Sequence, residues 1–239
     1  MKTVIAIISI ILMIIGTTII IARTNISSTQ IEVTVMRDIT DDQIAQPKLA
    51  DIVPLVNLDN SQWNGVNVRF IDITDVSYNY TYQTSISAEN HWLGNEFDRQ
   101  KKINNFYAEI TQILIKAEEE THGRNNSSVY IPIANELNRL SQSPAQKKIV
   151  LVYSDLMENT AEMSFYDKSK FSLLKTNPNS IRQYFDTQVP LRQLAGIKIY
   201  LIYQPANPET DGQYQIISEF YKKLLESKGA TVEITANIN

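Results

Sequence analysis

The stretch of residues 31–42 constrains the fold most, because an apolar run there ends abruptly in acidic side chains. The apolar and mostly β-branched residues are Ile31, Val33, Val35 and Met36. Such a run is typical of a strand buried on both faces of a parallel sheet. The polar residues that follow are Asp38, Thr40, Asp41 and Asp42. Ligands of open α/β sheets bind at the carboxyl ends of the strands, so this cluster of oxygen atoms is a candidate divalent-metal site.

Strand-like and helix-like segments alternate along the rest of the chain. Further strands are predicted at residues 66–73, 82–88, 148–153, 196–203 and 231–235, and helices at residues 42–58, 96–120, 131–140, 178–185 and 211–228. The sequence therefore predicts an α/β domain with a doubly wound, mainly parallel sheet and helices on both faces. Only a turn separates the strands at residues 66–73 and 82–88, which indicates an antiparallel strand at one edge.

Residues 3–22 carry no charged side chain and lie between Lys2 and Arg23. A helix of about 20 residues is about 30 Å long, which matches the hydrocarbon core of a bilayer. A cleaved signal peptide is the alternative, although its apolar region is normally shorter and ends in small residues. We predict a transmembrane anchor at residues 1–23, a linker at 24–30 and the α/β domain at 31–239. The domain is expected on the extracytoplasmic side of the membrane.

Composition excludes several classes of function. The net charge of −4 gives no electrostatic case for binding nucleic acid. The chain has no cysteine, which excludes disulfides and a thiol nucleophile. His91 and His122 are isolated in the sequence, so a zinc site or a histidine base has little support.

The order of these features resembles a von Willebrand factor A-type (vWA) domain. That family begins with a hydrophobic strand ending in Asp-x-Ser-x-Ser, has a Thr in a loop before a later helix, and has an Asp after the fourth strand. Asp38 matches the first Asp and Thr40 stands at the first Ser, while Asp42 stands at the second Ser and departs from the pattern. The resemblance covers nearly all of the chain after residue 30.

The other two motifs of the family also have counterparts here. Ser127 and Ser128 precede a predicted helix and resemble the Thr loop, and Asp155 matches the later Asp. The resemblance also puts Glu158 and Asn159 on the loop surface around the site.

The resemblance implies a metal-ion-dependent adhesion site that holds magnesium, with manganese or calcium as alternatives. A carboxylate from a protein partner often completes the metal's coordination in this family. Asp42 could take that open position, and the Asp42→Ser variant should then bind metal more weakly. The expected function is a membrane-anchored protein-binding module with no enzymatic activity.

Simpler roles compete with metal binding at each position. Asp41 and Asp42 could cap a helix, Asp155 could cap a turn, and Ser127 or Ser128 could be an ordinary helix N-cap. A degenerate metal site would leave a structural component of a membrane assembly. A metal-dependent phosphoester hydrolase is a further alternative, but its Asp-x-Asp pair would need an aspartate where Thr40 stands.

Overall fold

The computed structural model describes residues 28–40, 44–73, 81–92, 94–119 and 127–238. Its strands are β1 (Gln30–Asp38), β2 (Gly65–Ile73), β3 (Thr81–Ile86), β4 (Lys147–Tyr153), β5 (Ile197–Ile202) and β6 (Thr231–Thr235). They form one sheet in the order β3-β2-β1-β4-β5-β6. All neighbouring strands are parallel except β3, which is antiparallel to β2. The predicted parallel sheet with an antiparallel edge strand is confirmed.

The helices cover both faces of the sheet. They are α1 (Leu49–Val56), α2 (Glu96–Glu119), α3 (Tyr130–Ser141), α4 (Lys168–Thr176), α5 (Pro178–Gln188) and α6 (Pro208–Glu226). Arg37 of β1 donates a hydrogen bond to the Ala117 carbonyl of α2, at 2.6 Å. Thr34 points to the opposite face, where its hydroxyl donates to Glu136 of α3 at 2.7 Å. Side chains of a strand alternate between faces in this way, so β1 is buried by helices on both sides.

The aromatic side chains of α3, α5 and α6 pack together on the face that Thr34 points to. The rings of Tyr130 and Phe185 are stacked with their centroids 3.9 Å apart, and Phe220 meets Phe185 edge-on at 6.1 Å. Every residue of β1 after Gln30 is buried, as the apolar run predicts.

Two helices differ from the sequence prediction. The first begins at Leu49 and not near residue 42. Gln46 precedes Pro47, and the residue before a proline is disfavoured in the helical conformation. Helix α4 was not predicted, because Leu174 is its single buried residue and it lacks the apolar stripe of an amphipathic helix.

The order of the strands reverses between β1 and β4. The chain passes from β1 to β2 on one side and from β4 to β5 on the other, so the ends of β1 and β4 form the switch point where doubly wound folds bind ligands. Asp38 ends β1 at this point, and Ser154 directly follows β4. No helix in the described ranges is long and apolar enough to cross a bilayer, and the apolar segment at residues 3–22 lies outside those ranges.

Candidate functional site

Asp38 is the centre of a buried polar cluster at the switch point. It is 1% exposed. Its Oδ1 atom accepts hydrogen bonds from the Thr40 hydroxyl at 2.6 Å and the Thr40 backbone N–H at 3.1 Å. Its Oδ2 atom accepts from the hydroxyls of Ser154, at 2.9 Å, and Ser127, at 3.4 Å. Three separate segments of the chain thus bring hydroxyl groups to one carboxylate.

Local backbone structure fixes each of these hydroxyls. The side chain of Asp38 bonds to the N–H two residues on, which is the pattern of an Asx-turn. Ser127 is held by reciprocal backbone hydrogen bonds with Asn159, at 3.1 and 2.8 Å. The Ser154 hydroxyl accepts from the Leu156 N–H at 2.9 Å, and the Ser154 N–H donates to the Ile202 carbonyl at 3.3 Å.

Glu158 caps the helix next to this cluster. Its Oε2 atom accepts from the backbone N–H groups of Val129, at 3.0 Å, and Tyr130, at 2.8 Å. Helices leave such N–H groups without intrahelical partners at the first turn. The interpretation of Ser127 or Ser128 as the N-cap is therefore wrong, because Val129 is the N-cap residue and Glu158 supplies the oxygen atom.

Glu158 is also buried, contrary to its expected place on the loop surface. It is 3% exposed, and Ser128, which precedes the capped helix, is 2% exposed. A pocket of about 340 Å³ beside Glu158 is lined in part by Tyr130, Tyr184 and Phe185. The candidate site therefore has an opening beside it with aromatic walls.

Burial dominates the electrostatics of both carboxyl groups. It raises the pKa of Asp38, although hydrogen bonds from Thr40, Ser154 and Ser127 oppose the change. It also raises the pKa of Glu158 to about 7, against the opposing N–H groups of Tyr130 and Val129. The described hydrogen bonds to these two carboxyl groups come from hydroxyl and backbone N–H groups and not from Lys or Arg. A bound cation would supply the counter-charge.

Asp155 and Asp42 are the other two aspartates predicted as metal ligands. Asp155 is partly exposed, and its Oδ1 atom accepts from the Met157 N–H at 2.9 Å, so it caps the turn after β4. It also lines a pocket of about 140 Å³ together with Tyr203 and Tyr214. A metal-binding role for Asp155 stays a prediction. Asp42 and Asp41 lie outside the described residues.

The oxygen donors around Asp38 suit magnesium, and manganese prefers donors of the same type. Within the described ranges, no three His, Cys, Asp or Glu side chains come together as a metal-binding group. Magnesium needs no such group, because it is usually held by one or two carboxylates and keeps several waters. Zinc prefers nitrogen and sulfur ligands, and calcium takes more oxygen ligands than this cluster offers.

Ser154 was not among the site residues predicted from the sequence. Met36 of β1 pairs with Val152 of β4 in the sheet, and the next residues on the same face of each strand are Asp38 and Ser154. The register between the strands therefore puts Ser154, and not its neighbour Asp155, against the Asp38 carboxylate. A serine at this position can be identified as a neighbour of Asp38 only once the register between the strands is known.

No known protein-family profile matches the sequence, and no curated protein sequence is significantly similar to it. Among solved structures, the chain is similar to the crystal structure of the conserved hypothetical protein BatB from Bacteroides thetaiotaomicron. The two share 10% sequence identity with a TM-score of 0.38, over 87% of this chain and 91% of the BatB chain. A likeness this distant supports no statement about function.

Proposed function

We propose that this chain is a vWA-like binding module, anchored to a membrane by residues 3–22, that engages a protein partner through a magnesium site at Asp38. The observation that carries the proposal is the convergence of Thr40, Ser127 and Ser154 on a buried carboxylate at the switch point. This is the place where a doubly wound sheet binds ligands. The role proposed is binding and not catalysis, and the extracytoplasmic location of the domain is part of the proposal.

Asp38, Thr40, Ser127 and Ser154 would hold the metal, directly or through water. When bound, magnesium supplies positive charge that attracts a carboxylate of the partner. The chain's own contribution is to fix these oxygen atoms in advance through the Asx-turn and the Ser127–Asn159 backbone pair. Asp38 at the base of the cluster gives the site the negative charge that a cation needs.

A second candidate is a structural component that needs no metal. It is favoured by the same hydrogen bonds, since hydroxyl groups of Thr40 and Ser154 donate to the two Asp38 oxygen atoms. A buried carboxyl group with satisfied hydrogen bonds can be stable on its own when it is protonated. Metal affinity separates the two candidates.

Titration calorimetry with magnesium chloride tests the proposal on the fragment 28–239. This fragment retains the buried hydrophobic core, which begins at Ile31. We expect heat of magnesium binding in the parent fragment and an affinity at least about 100-fold weaker in Asp38→Asn, because even supporting groups around a metal site change affinity 10–100-fold. Ser154→Ala should weaken binding if the hydroxyl that faces Asp38 is part of the site.

Asp186→Asn is the matched control, because it removes an exposed carboxylate from α5 and should bind magnesium like the parent. Asp155→Asn then tests whether the aspartate that the family resemblance predicts as a ligand contributes to magnesium affinity. If the parent fragment shows no binding heat, and magnesium does not raise its unfolding temperature, the metal-dependent function is rejected. The structural alternative would then be retained.

A further inference from the structure

Aromatic side chains lie along the amino-terminal edge of the sheet, opposite the candidate metal site. We call Trp63, His91, Trp92 and Phe97 the aromatic platform. Trp63 lies just before Gly65, the first residue of β2, and the other three follow the last residue of the antiparallel strand β3. His91 contacts both tryptophans, with ring centroids 6.2 Å from Trp63 and 4.7 Å from Trp92. Trp92 is 50% exposed and Phe97 is 80% exposed.

The platform is held in place by Arg99, which is fully buried. Its guanidinium donates to the carbonyl oxygens of Gln62 at 2.6 Å, Asn64 at 2.6 Å and Ser87 at 2.8 Å. These carbonyls belong to the loops on either side of the β2–β3 pair. The Glu89 N–H also donates to the Trp63 carbonyl at 3.0 Å. The exposed rings therefore sit on a rigid base, and their grouping at one edge makes this face a candidate interaction surface.

The chain enters the domain beside the platform. The Thr29 N–H donates to the Asn64 side chain at 2.9 Å, and the Gly65 N–H donates to the Thr29 carbonyl at 3.0 Å. Residues 23–27 separate Ser28 from the apolar segment at residues 3–22. Five residues extend over at most about 20 Å. If that segment spans a bilayer, this edge of the domain cannot move far from the membrane surface.

We propose that the aromatic platform lies in the interface of the membrane that holds the anchor, with its tryptophan rings at the level of the lipid headgroups. The proposal rests on the anchoring part of the proposed function. Tryptophan is enriched at membrane interfaces because its ring is apolar and its N–H is polar. Glu96 and Asp98 flank Phe97, and the exposed Lys101 and Lys102 follow on the next turn, so the charges beside the platform offset one another and the contact depends on ring burial.

This orientation has a consequence for the metal site. β1 runs from the platform edge to Asp38 over nine residues, and a strand of that length spans about 30 Å. Asp38 and the pocket beside Glu158 then face away from the membrane. A protein partner can reach them from the aqueous phase without contacting lipid.

Fluorescence quenching tests the proposal on the full chain in vesicles of phosphatidylcholine, because Trp63 and Trp92 are the chain's only tryptophans. Bromine atoms on the lipid acyl chains quench indole groups that lie at the interface. We expect tryptophan emission to fall to roughly half in brominated vesicles relative to unbrominated ones, since interfacial rings lie next to the acyl chains. Vesicle flotation, measured on the same samples, reports anchoring separately.

The matched control carries its one tryptophan at the other edge of the sheet. This control is the triple variant Trp63→Phe, Trp92→Phe, Tyr166→Trp. Its single tryptophan replaces Tyr166, which is 62% exposed and lines the pocket beside Asp155. Its emission should be equal in the two kinds of vesicle. If the parent protein floats with the vesicles but bromine does not quench its emission, the proposed orientation is overturned and the membrane anchor is retained. If the parent protein does not float, both the orientation and the anchor are overturned. Parental emission that neither bromine nor aqueous acrylamide quenches means that a second protein copy covers the platform, and it overturns the lipid contact. Magnesium calorimetry is independent of all these outcomes.

Discussion

Replacing Glu158 by glutamine should remove a large part of the pH dependence of folding stability. Burial raises the pKa of this carboxyl group from its ordinary value of 4.5 to about 7. A raised pKa means that the folded state binds the proton more tightly than the unfolded state. The group's contribution is therefore fully present below pH 4.5 and is lost as the pH rises through about 7.

The size of the effect follows from the difference between the two pKa values. A difference of one unit between the two pKa values corresponds to about 1.36 kcal/mol, so charging Glu158 in the folded protein costs on the order of 3 kcal/mol. Glutamine does not titrate, and its side-chain oxygen can still accept from the N–H groups of Val129 and Tyr130. Glu158→Gln should thus be more stable relative to the parent at about pH 8 than at about pH 5.

Urea unfolding of the fragment 28–239, followed by circular dichroism in the presence of a chelator, measures this difference. The chelator removes metal that would change the charge state of Asp38. Burial raises the pKa of Asp38 as well, so some pH dependence of the same sign should persist in Glu158→Gln. Glu162→Gln is the control, since Glu162 is exposed in the same loop. Parallel curves of unfolding free energy against pH for the parent and Glu158→Gln would refute the reasoning.

Two further predictions concern buried arginines, and urea unfolding checks both. Arg37→Met removes the guanidinium that lies 2.9 Å from the buried Asp72 carboxylate and should cost about 3–5 kcal/mol, whereas Lys198→Met breaks an exposed pair with Glu233 and should cost less than about 1 kcal/mol. Equal losses would contradict the role assigned to burial. Arg99→Met should cost at least about 3 kcal/mol, because three carbonyl oxygens lose a charged donor. A loss below about 1 kcal/mol would mean that water replaces the guanidinium.

Much of the fold could be predicted because its signals are local. The burial of β1 on both faces follows from its apolar run, and the antiparallel edge follows from the short stretch of sequence that separates the two strand-like segments. Helix α4 could not be predicted from periodicity, because it buries only Leu174. The start of α1 at Leu49 is consistent with Pro47, because a proline disfavours the helical conformation of the residue before it.

Only part of the candidate site was visible in the sequence. Asp38 and Thr40 are two residues apart at a strand end, so their contact is local. Ser127 was predicted from the loop before α3, and the structure brings its hydroxyl to Asp38. The role of Glu158 could not be predicted, because an acidic residue in a loop has no pattern that distinguishes a buried helix cap from a surface group.

The sequence by itself determined the alternation of strands and helices and put an aspartate at the end of the central strand. The hydroxyl groups that face this aspartate were decided by the tertiary structure. Ser154 lies 116 residues from Asp38 along the chain, and the register of β4 against β1 brings the two side chains together. Sheet packing likewise gathers Trp63, Trp92 and the start of β1 at one edge, because β1 and β2 begin on the side where the antiparallel strand β3 ends. Periodicity reports which face of an element is apolar, but the register between distant elements is fixed only when their side chains pack.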